Sequence, residues 1–309
     1  MLDDVKSTCY YVMKASKYVN IDFEKIDQFI AKIDCNNLKN WLLYNPYGLF
    51  ELDIETIVNF LLVFEAIDYS FWGSPKWSIE TKDGTKDGSD ALLYAMLMYV
   101  KENESTDFSN VSFDEFKQIL QGNVEIPFLK ERYKTVVKIS KIVNQKMNGS
   151  FYQYVKDVTS DENLFEIIVT NFESFKDERI YNGHTIYFYK LAQLLTSDIL
   201  HVREHLKKID VNYSHLKGCA DYKIPCVLRA LDIINYKDEL SSIVDSKKEI
   251  DISSMYEVEI RASQIVVIDY IKSKLVNVAA IDINDFLFLY SKKIKEKVKP
   301  YHLCRNTNY

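Results

Sequence analysis

The chain has 309 residues and a formal net charge of −6, with 47% hydrophobic and 27% charged residues. That balance suits a globular protein with a large core and excludes a largely disordered one, while the acidic excess excludes a general nucleic-acid footprint, which needs clustered positive charge. With only 8 Gly and 5 Pro, the chain has too few turn residues for an all-β sandwich or barrel.

From the first residue onward the signals are helical or neutral. The N-terminal MLDDVKSTCYYV has acids where a secretory leader needs bases. Asp53 precedes Ile54, Ile57, Val58, Leu61, Leu62 and Phe64 at helical spacing. That apolar stretch, interrupted by Asn59, is too short to span a bilayer. Asp83-Gly84 and Asp87-Gly88 predict a tight loop between two helices. Ser112 with Glu115, Thr159 with Glu162, and Ser254 with Glu257 have the spacing of capping boxes ahead of apolar periodic runs. Pro127 suits a first helical turn leading into Leu129, Tyr133, Val136 and Val143. Thr185–Tyr189, after the turn-like Asn182-Gly183, reads as a short strand or as the lead-in to a helix. The expected fold class is all-α. No repeat, low-complexity tract or linker marks a boundary, so residues 1–309 read as one domain.

The five cysteines, Cys9, Cys35, Cys219, Cys226 and Cys304, are odd in number and form no CxxC pair. They read as free thiols in a reducing compartment, and no Cys/His set has metal-ligand spacing. The expectation is a cytoplasmic protein with no membrane partner, no stable nucleic-acid partner, no metal and no cofactor.

No Walker A, GxGxxG, GxSxG or HExxH motif occurs, so the informative residues are ionisable groups placed where apolar ones belong. Asp198 falls within the stripe Leu191, Leu194, Leu195, Ile199, Val202, Leu206, and a carboxylate there is costly unless it is paired or used. The plain structural alternative is a buried Asp that caps a neighbouring helix or pairs with a Lys. Arg261 shares a face with Val258, Ile265 and Ile268, and Glu257 four residues earlier offers a simple helical ion pair. Asp221, in CADYKIPC, precedes a helix expected to begin near Pro225, where an Asp is common. Phe71 and Trp72, in the cluster Tyr69–Trp77, could stack on a planar base, though core packing is the commoner use of such a cluster.

Taken together, several blocks resemble the queuosine salvage protein family: DYSFWGSPKW (68–77), GSDALLYAM (88–96), IPFLKER (126–132), FESFKD (172–177), GHTIYFYKLAQLLTSD (183–198), IDVNYSHLKGCADYKIP (209–225), YEVEIRASQIVVIDYI (256–271) and PYHLCRNTNY (300–309). The resemblance is collinear from about Ala15 to Tyr309. Four positions in three places depart from the family's pattern. Leu191 stands where a basic residue follows the FYK lysine, His302-Leu303-Cys304-Arg305 where HRTR is usual, and Lys176 where an arginine is usual. The acidic set Asp68, Asp198, Asp210, Asp221, Glu257 and Glu259 is intact.

The resemblance implies a hydrolase that cleaves the N-glycosidic bond of queuosine 5′-monophosphate, or of queuosine, to release queuine, on a helical fold similar to that of helix-hairpin-helix DNA glycosylases. Queuine is a deazaguanine that lacks the imidazole nitrogen at which glycosidases commonly protonate a purine. Catalysis should therefore lean on carboxylates that stabilise an oxocarbenium-like sugar and activate water. On this reading Asp221 is the catalytic carboxylate, with Asp198 positioning water or the ribose. Asp68 and Glu257 belong to the acids that face the donor-rich base and its cationic amine. Phe71 and Trp72 form part of the base slot, and Lys190, Arg261, His302 and Arg305 are candidates for the phosphate end. The rival reading is a non-catalytic binding protein of the same fold for queuosine or a tRNA segment.

Overall fold

The computed structural model describes residues 1–34, 38, 40–294 and 298–309 of the chain. Helices dominate. In chain order they are α1 (Leu2–Ala15), α2 (Phe23–Ile30), α3 (Ile54–Glu65), α4 (Gly88–Asn103), α5 (Phe113–Ile119), α6 (Leu129–Lys146), α7 (Phe151–Val155), α8 (Asp161–Asn171), α9 (Lys190–Lys207), α10 (Lys223–Ala230), α11 (Asp238–Asp245), α12 (Met255–Lys274) and α13 (Ala280–Lys293). None of them is long and apolar enough to cross a membrane.

The all-α expectation is corrected in one respect: among the described residues three small two-stranded antiparallel sheets accompany the helices. Strands β2 (Ser78–Thr81) and β3 (Gly84–Asp87) form a hairpin where a loop between helices was expected. Lys82 and Asp83 make its turn, Gly84 follows at φ 95°, and Gly88 opens α4 directly after β3. Strands β4 (Glu178–Tyr181) and β5 (His184–Tyr187) turn through Asn182 and Gly183, at φ 49° and 79°. Positive φ at both central residues matches the twist of a hairpin, so the strand reading of Thr185–Tyr187 is the one observed. Strands β1 (Val19–Ile21) and β6 (Ile234–Tyr236) pair across more than two hundred residues of sequence. At three residues each they are too short to leave a periodic signal.

Two of the three expected caps are present. Ser112 accepts from the Glu115 N–H and Ser254 from the Glu257 N–H, as Asp53 does from Thr56. Thr159 does not cap α8. Ser160 occupies the N-cap without a side-chain bond, and the Asp161 carboxylate accepts from the backbone of Glu162, His215 and Leu216. Pro127 lies two residues ahead of α6 rather than within its first turn, because Phe128 adopts a left-handed conformation between them. Cys9, Cys219, Cys226 and Cys304 are free and buried, while Cys35 lies outside the described residues.

The apolar side chains form two cores. The first gathers α1, α3, α4, α6, α8 and α9 around residues such as Phe60, Leu61, Leu195 and Ile199. The second gathers α2, α10, α11 and α13 with Trp72 and Tyr222. Helix α12 feeds both, giving Val258, Ala262, Ile265 and Val266 to the first and Ile260, Val267, Ile268 and Ile271 to the second. A helix that is apolar nearly all round is the expected central element of such a packing. Glu259, on the same helix, is fully buried and accepts from the backbone N–H groups of Lys17, Tyr18 and Val19 and from the hydroxyls of Ser16 and Tyr181. It anchors the chain between α1 and β1, a structural use of a carboxylate that five donors make affordable.

Candidate active site

Where the two cores meet, acids from three helices and two connecting segments converge. Glu65 ends α3 and is fully buried, and Asp68 follows three residues later. Lys190 and Asp198 come from α9, Asp221 from the loop before α10, and Asp285 from α13. The Lys190 ammonium donates to the Asp68 carbonyl at 3.0 Å and to Asp68 Oδ2 at 3.1 Å. Burial alone would lower its pKa, but the fields of Asp68, Glu65 and Asp221 outweigh that and raise it, so Lys190 is charged.

Asp198 has a donor on each oxygen: Asn40 Nδ2 at 3.1 Å from Oδ1 and the Trp41 indole N–H at 3.1 Å from Oδ2. The Asn40 amide also donates to Asp285 Oδ2 at 2.9 Å while its carbonyl accepts from the Leu42 N–H. One side-chain amide thus divides its two hydrogens between two buried carboxyls, which would otherwise repel. Burial pushes the Asp198 carboxyl up to about 7 and lifts Asp285 well above the carboxylate range, with the Asp198 charge adding to the latter. Glu65 is also raised well above that range, first by burial and then by Asp198 and Asp68.

Asp221 is half-buried. Its Oδ1 accepts from the backbone N–H groups of Lys223 at 2.9 Å and Ile224 at 3.0 Å, which fixes the carboxylate at the start of α10. Burial raises its pKa although these bonds and Lys190 oppose the shift. Within the described residues its Oδ2 makes no hydrogen bond. The unpartnered buried oxygens nearby are Glu65 Oε1 and Oε2 and Asp68 Oδ1. Among the described residues no three His, Cys, Asp or Glu side chains form a set that could hold a metal ion.

Six of the sequence candidates are engaged elsewhere. Arg261 is fully buried: Nε donates to the Ala220 carbonyl at 3.0 Å, and Nη1 donates to Asp177 at 3.0 Å and Glu257 at 3.2 Å, while Nη2 completes a bidentate pair with Asp177. The rings of Phe188 and Tyr309 lie 4.0 and 4.2 Å from its guanidinium carbon. Glu257 is therefore part of an ion network with Arg261 and Arg179. His302 is buried beside Tyr309, and burial together with Arg261 lowers its pKa to about 3, which leaves it neutral. Arg305 is exposed, pairs with Glu249 at 2.9 Å and lies 5.2 Å from the Trp72 ring. Phe71 packs in the first core, stacked on Trp77 and near Arg132, and Trp72 packs in the second with Tyr222.

Sequence reasoning missed Glu65, Asp285, Asn40 and Asp177. Glu65 had a visible signal: it follows Ile57, Val58, Leu61 and Leu62 by eight, seven, four and three residues, the same pattern that singled out Asp198. Asn40 and Asp177 sit outside regular helices, and only tertiary packing makes them partners of a site residue.

A family model described as queuosine salvage protein matches residues 50–309, a span that includes Glu65, Asp68, Lys190, Asp198, Asp221 and Asp285. A protein of Sphaerobacter thermophilus named queuosine 5′-phosphate N-glycosylase/hydrolase is 29% identical over 266 residues, covering 82% of this chain and 82% of its own. Proteins of the same name from Dictyostelium discoideum and Mus musculus are 24% identical over 317 residues and 25% over 337, covering 96% and 98% of both chains respectively. The chain belongs to the queuosine salvage protein family.

Proposed function

We propose that this chain hydrolyses the N-glycosidic bond of queuosine 5′-phosphate and releases queuine. The observation that carries the reading is the gathering of Glu65, Asp68, Asp198, Asp221 and Asp285, with the ammonium groups of Lys190 and Lys223 facing only some of them and with acceptor oxygens left unpartnered. A site so rich in acceptors favours a ligand that offers donors and positive charge, and it stabilises positive charge that develops during reaction. The relatives' names supply the substrate, whose base has a donor-rich edge and a cationic amine.

In the reaction, Asp221 stands beside the anomeric carbon. Its Oδ1 is held by two backbone donors, which keeps the side chain from swinging, and Oδ2 faces the sugar and orients the attacking water. As the bond to the base lengthens, the negative charge of Asp221 stabilises the oxocarbenium-like sugar without a covalent step; water then adds to the anomeric carbon, its proton passes to Asp221 Oδ2, and that proton goes on to the departing base nitrogen. Asp198, fixed at both oxygens, adds a second oriented charge. Asp68 Oδ1 accepts from the base or its amine, with Lys190 holding the other oxygen in place. Arg305, exposed beside the Trp72 ring, is the basic group left for the phosphate end, where it would exchange Glu249 for the phosphate. Arg261 acts from behind: it holds Asp177, which in turn accepts from the Lys190 backbone N–H at 3.3 Å, and Glu257 pairs with the same guanidinium.

We also read residues 1–309 as one catalytic domain related in architecture to helix-hairpin-helix DNA glycosylases, and the protein as cytoplasmic. The net charge of −6 supports a small-molecule substrate over a stable nucleic-acid partner. The test is incubation with queuosine 5′-phosphate and, separately, queuosine, followed by mass spectrometry for free queuine. Asp221→Asn keeps the shape and removes the charge. It should abolish release while leaving substrate affinity within about tenfold, because the lost interaction belongs mainly to the transition state. Binding of the nucleotide by the wild type without any release of base would replace this reading with that of a carrier.

A further inference from the structure

Glu65 presents an accounting problem. Its side chain is fully buried at the end of α3, and neither carboxylate oxygen meets a hydrogen-bond donor. The groups facing it are Asp68 from the following turn and Asp198 and Lys190 from α9, and Lys190 Nζ gives its hydrogen bonds to Asp68 instead. An ionised carboxylate in such a place would be both undersolvated and beside like charge. The neighbouring Asp198 is in the opposite situation. Asn40 donates to one oxygen and the Trp41 indole to the other, while Asp68, Asp285 and the Cys219 thiol face it from the remaining sides. Of these two neighbouring buried acids, Asp198 has a donor on each oxygen and Glu65 has none on either, so a single proton shared between them belongs on Glu65.

We propose that Glu65 is a proton-holding positioning residue: as the neutral acid it donates its O–H to Asp198, and Asn40, Trp41 and Glu65 together fix Asp198 as an oriented anion. The proton stays on Glu65 through the reaction, and Asp198 is the member whose charge the sugar cation feels. This rests on the hydrolase reading above, and it adds a role for a residue outside the acids already assigned to catalysis or substrate binding. The pair loses its proton only when Glu65 must ionise beside Asp198, and that second anion turns the arranged contact into a repulsion. Turnover should therefore fall on the alkaline side as Glu65 ionises, and on the acid side as the pair takes up a second proton, at Asp198.

The experiment compares wild type, Glu65→Gln and Glu65→Leu. Gln keeps an N–H donor for Asp198 and cannot ionise; Leu gives no donor. Infrared difference spectra of wild type against Glu65→Gln at neutral pH should show one neutral carboxylic C=O stretch that the variant has lost. The pH profile of kcat should lose its alkaline fall in Glu65→Gln, while Glu65→Leu turns over more slowly at every pH with KM changed less than kcat. If no neutral-acid band disappears, Glu65 is ionised and the proposal is wrong. It is equally wrong if Glu65→Gln loses about a hundredfold or more in kcat, the loss expected of a residue that gives up its proton in the reaction. Should the wild type itself release no base, the hydrolase reading fails, and the infrared comparison still decides where the proton sits.

Discussion

His302 illustrates how a residue chosen for its charge can matter through the lack of it. Burial and the neighbouring Arg261 hold its folded pKa near 3, against an ordinary value of 6.5. The unfolded chain therefore binds a proton below pH 6.5 that the folded chain refuses, so this group contributes stability above that pH and loses it as the pH falls toward 3. The slope is about 1.4 kcal/mol per pH unit in that window. His302→Gln should flatten the loss of stability between pH 6.5 and 4 relative to wild type, measured by urea titration at each pH. Parallel curves would show that His302 is protonated in the folded state. Asp198 and Asp221 were legible because a carboxylate on an apolar stripe, or just before a helix, violates or punctuates a pattern. The neutrality of His302 was not legible, since it depends on Tyr309 and Arg261 arriving from elsewhere in the fold.

Elements are held to the site by buried cations that face carbonyl groups. Arg132 of α6, in the IPFLKER block, donates to the carbonyls of Pro127, Ile67, Tyr69 and Ser70, and its guanidinium lies over the Tyr69 ring. It fixes the turn that carries Asp68. The Ser70 N–H and hydroxyl meanwhile donate to the carbonyls of Tyr309 and Asn306, so the segment 304–309 closes over the other side of that turn. Arg132→Met should cost roughly 3 kcal/mol or more, because it leaves several buried carbonyls without donors. Denaturant unfolding measures it, and a cost below about 1 kcal/mol, the worth of a single ordinary hydrogen bond, would show that Arg132 is not the anchor. The helix starts at Asp53, Ser112 and Ser254 were readable because capping is local chemistry. The β2–β3 hairpin was not, since Asp-Gly serves equally in a loop between helices, and the β1–β6 pairing is set by packing on α12 rather than by its own residues.

At the level of the whole molecule, a helix-dominated circular dichroism spectrum is expected, with little contribution from the short strands. The helical character was readable from the scarcity of Gly and Pro and the repeated caps. The division into two cores was not, because no composition change marks it and α12 is apolar toward both. That division has a consequence for how the protein fails. Glu65 and Asp198 ride on elements of the first core, and Asp221 and Asp285 on elements packed in the second. A slight slip between the two halves would separate the acids while leaving nearly every helix intact. Catalysis should therefore disappear at a lower urea concentration than ellipticity at 222 nm, a wavelength that reports helix, whereas coincident transitions would mean that the seam is as strong as the cores. A preparation that looks fully helical could then already be dead, and its thermal history would be read more faithfully from turnover than from any spectrum of the backbone.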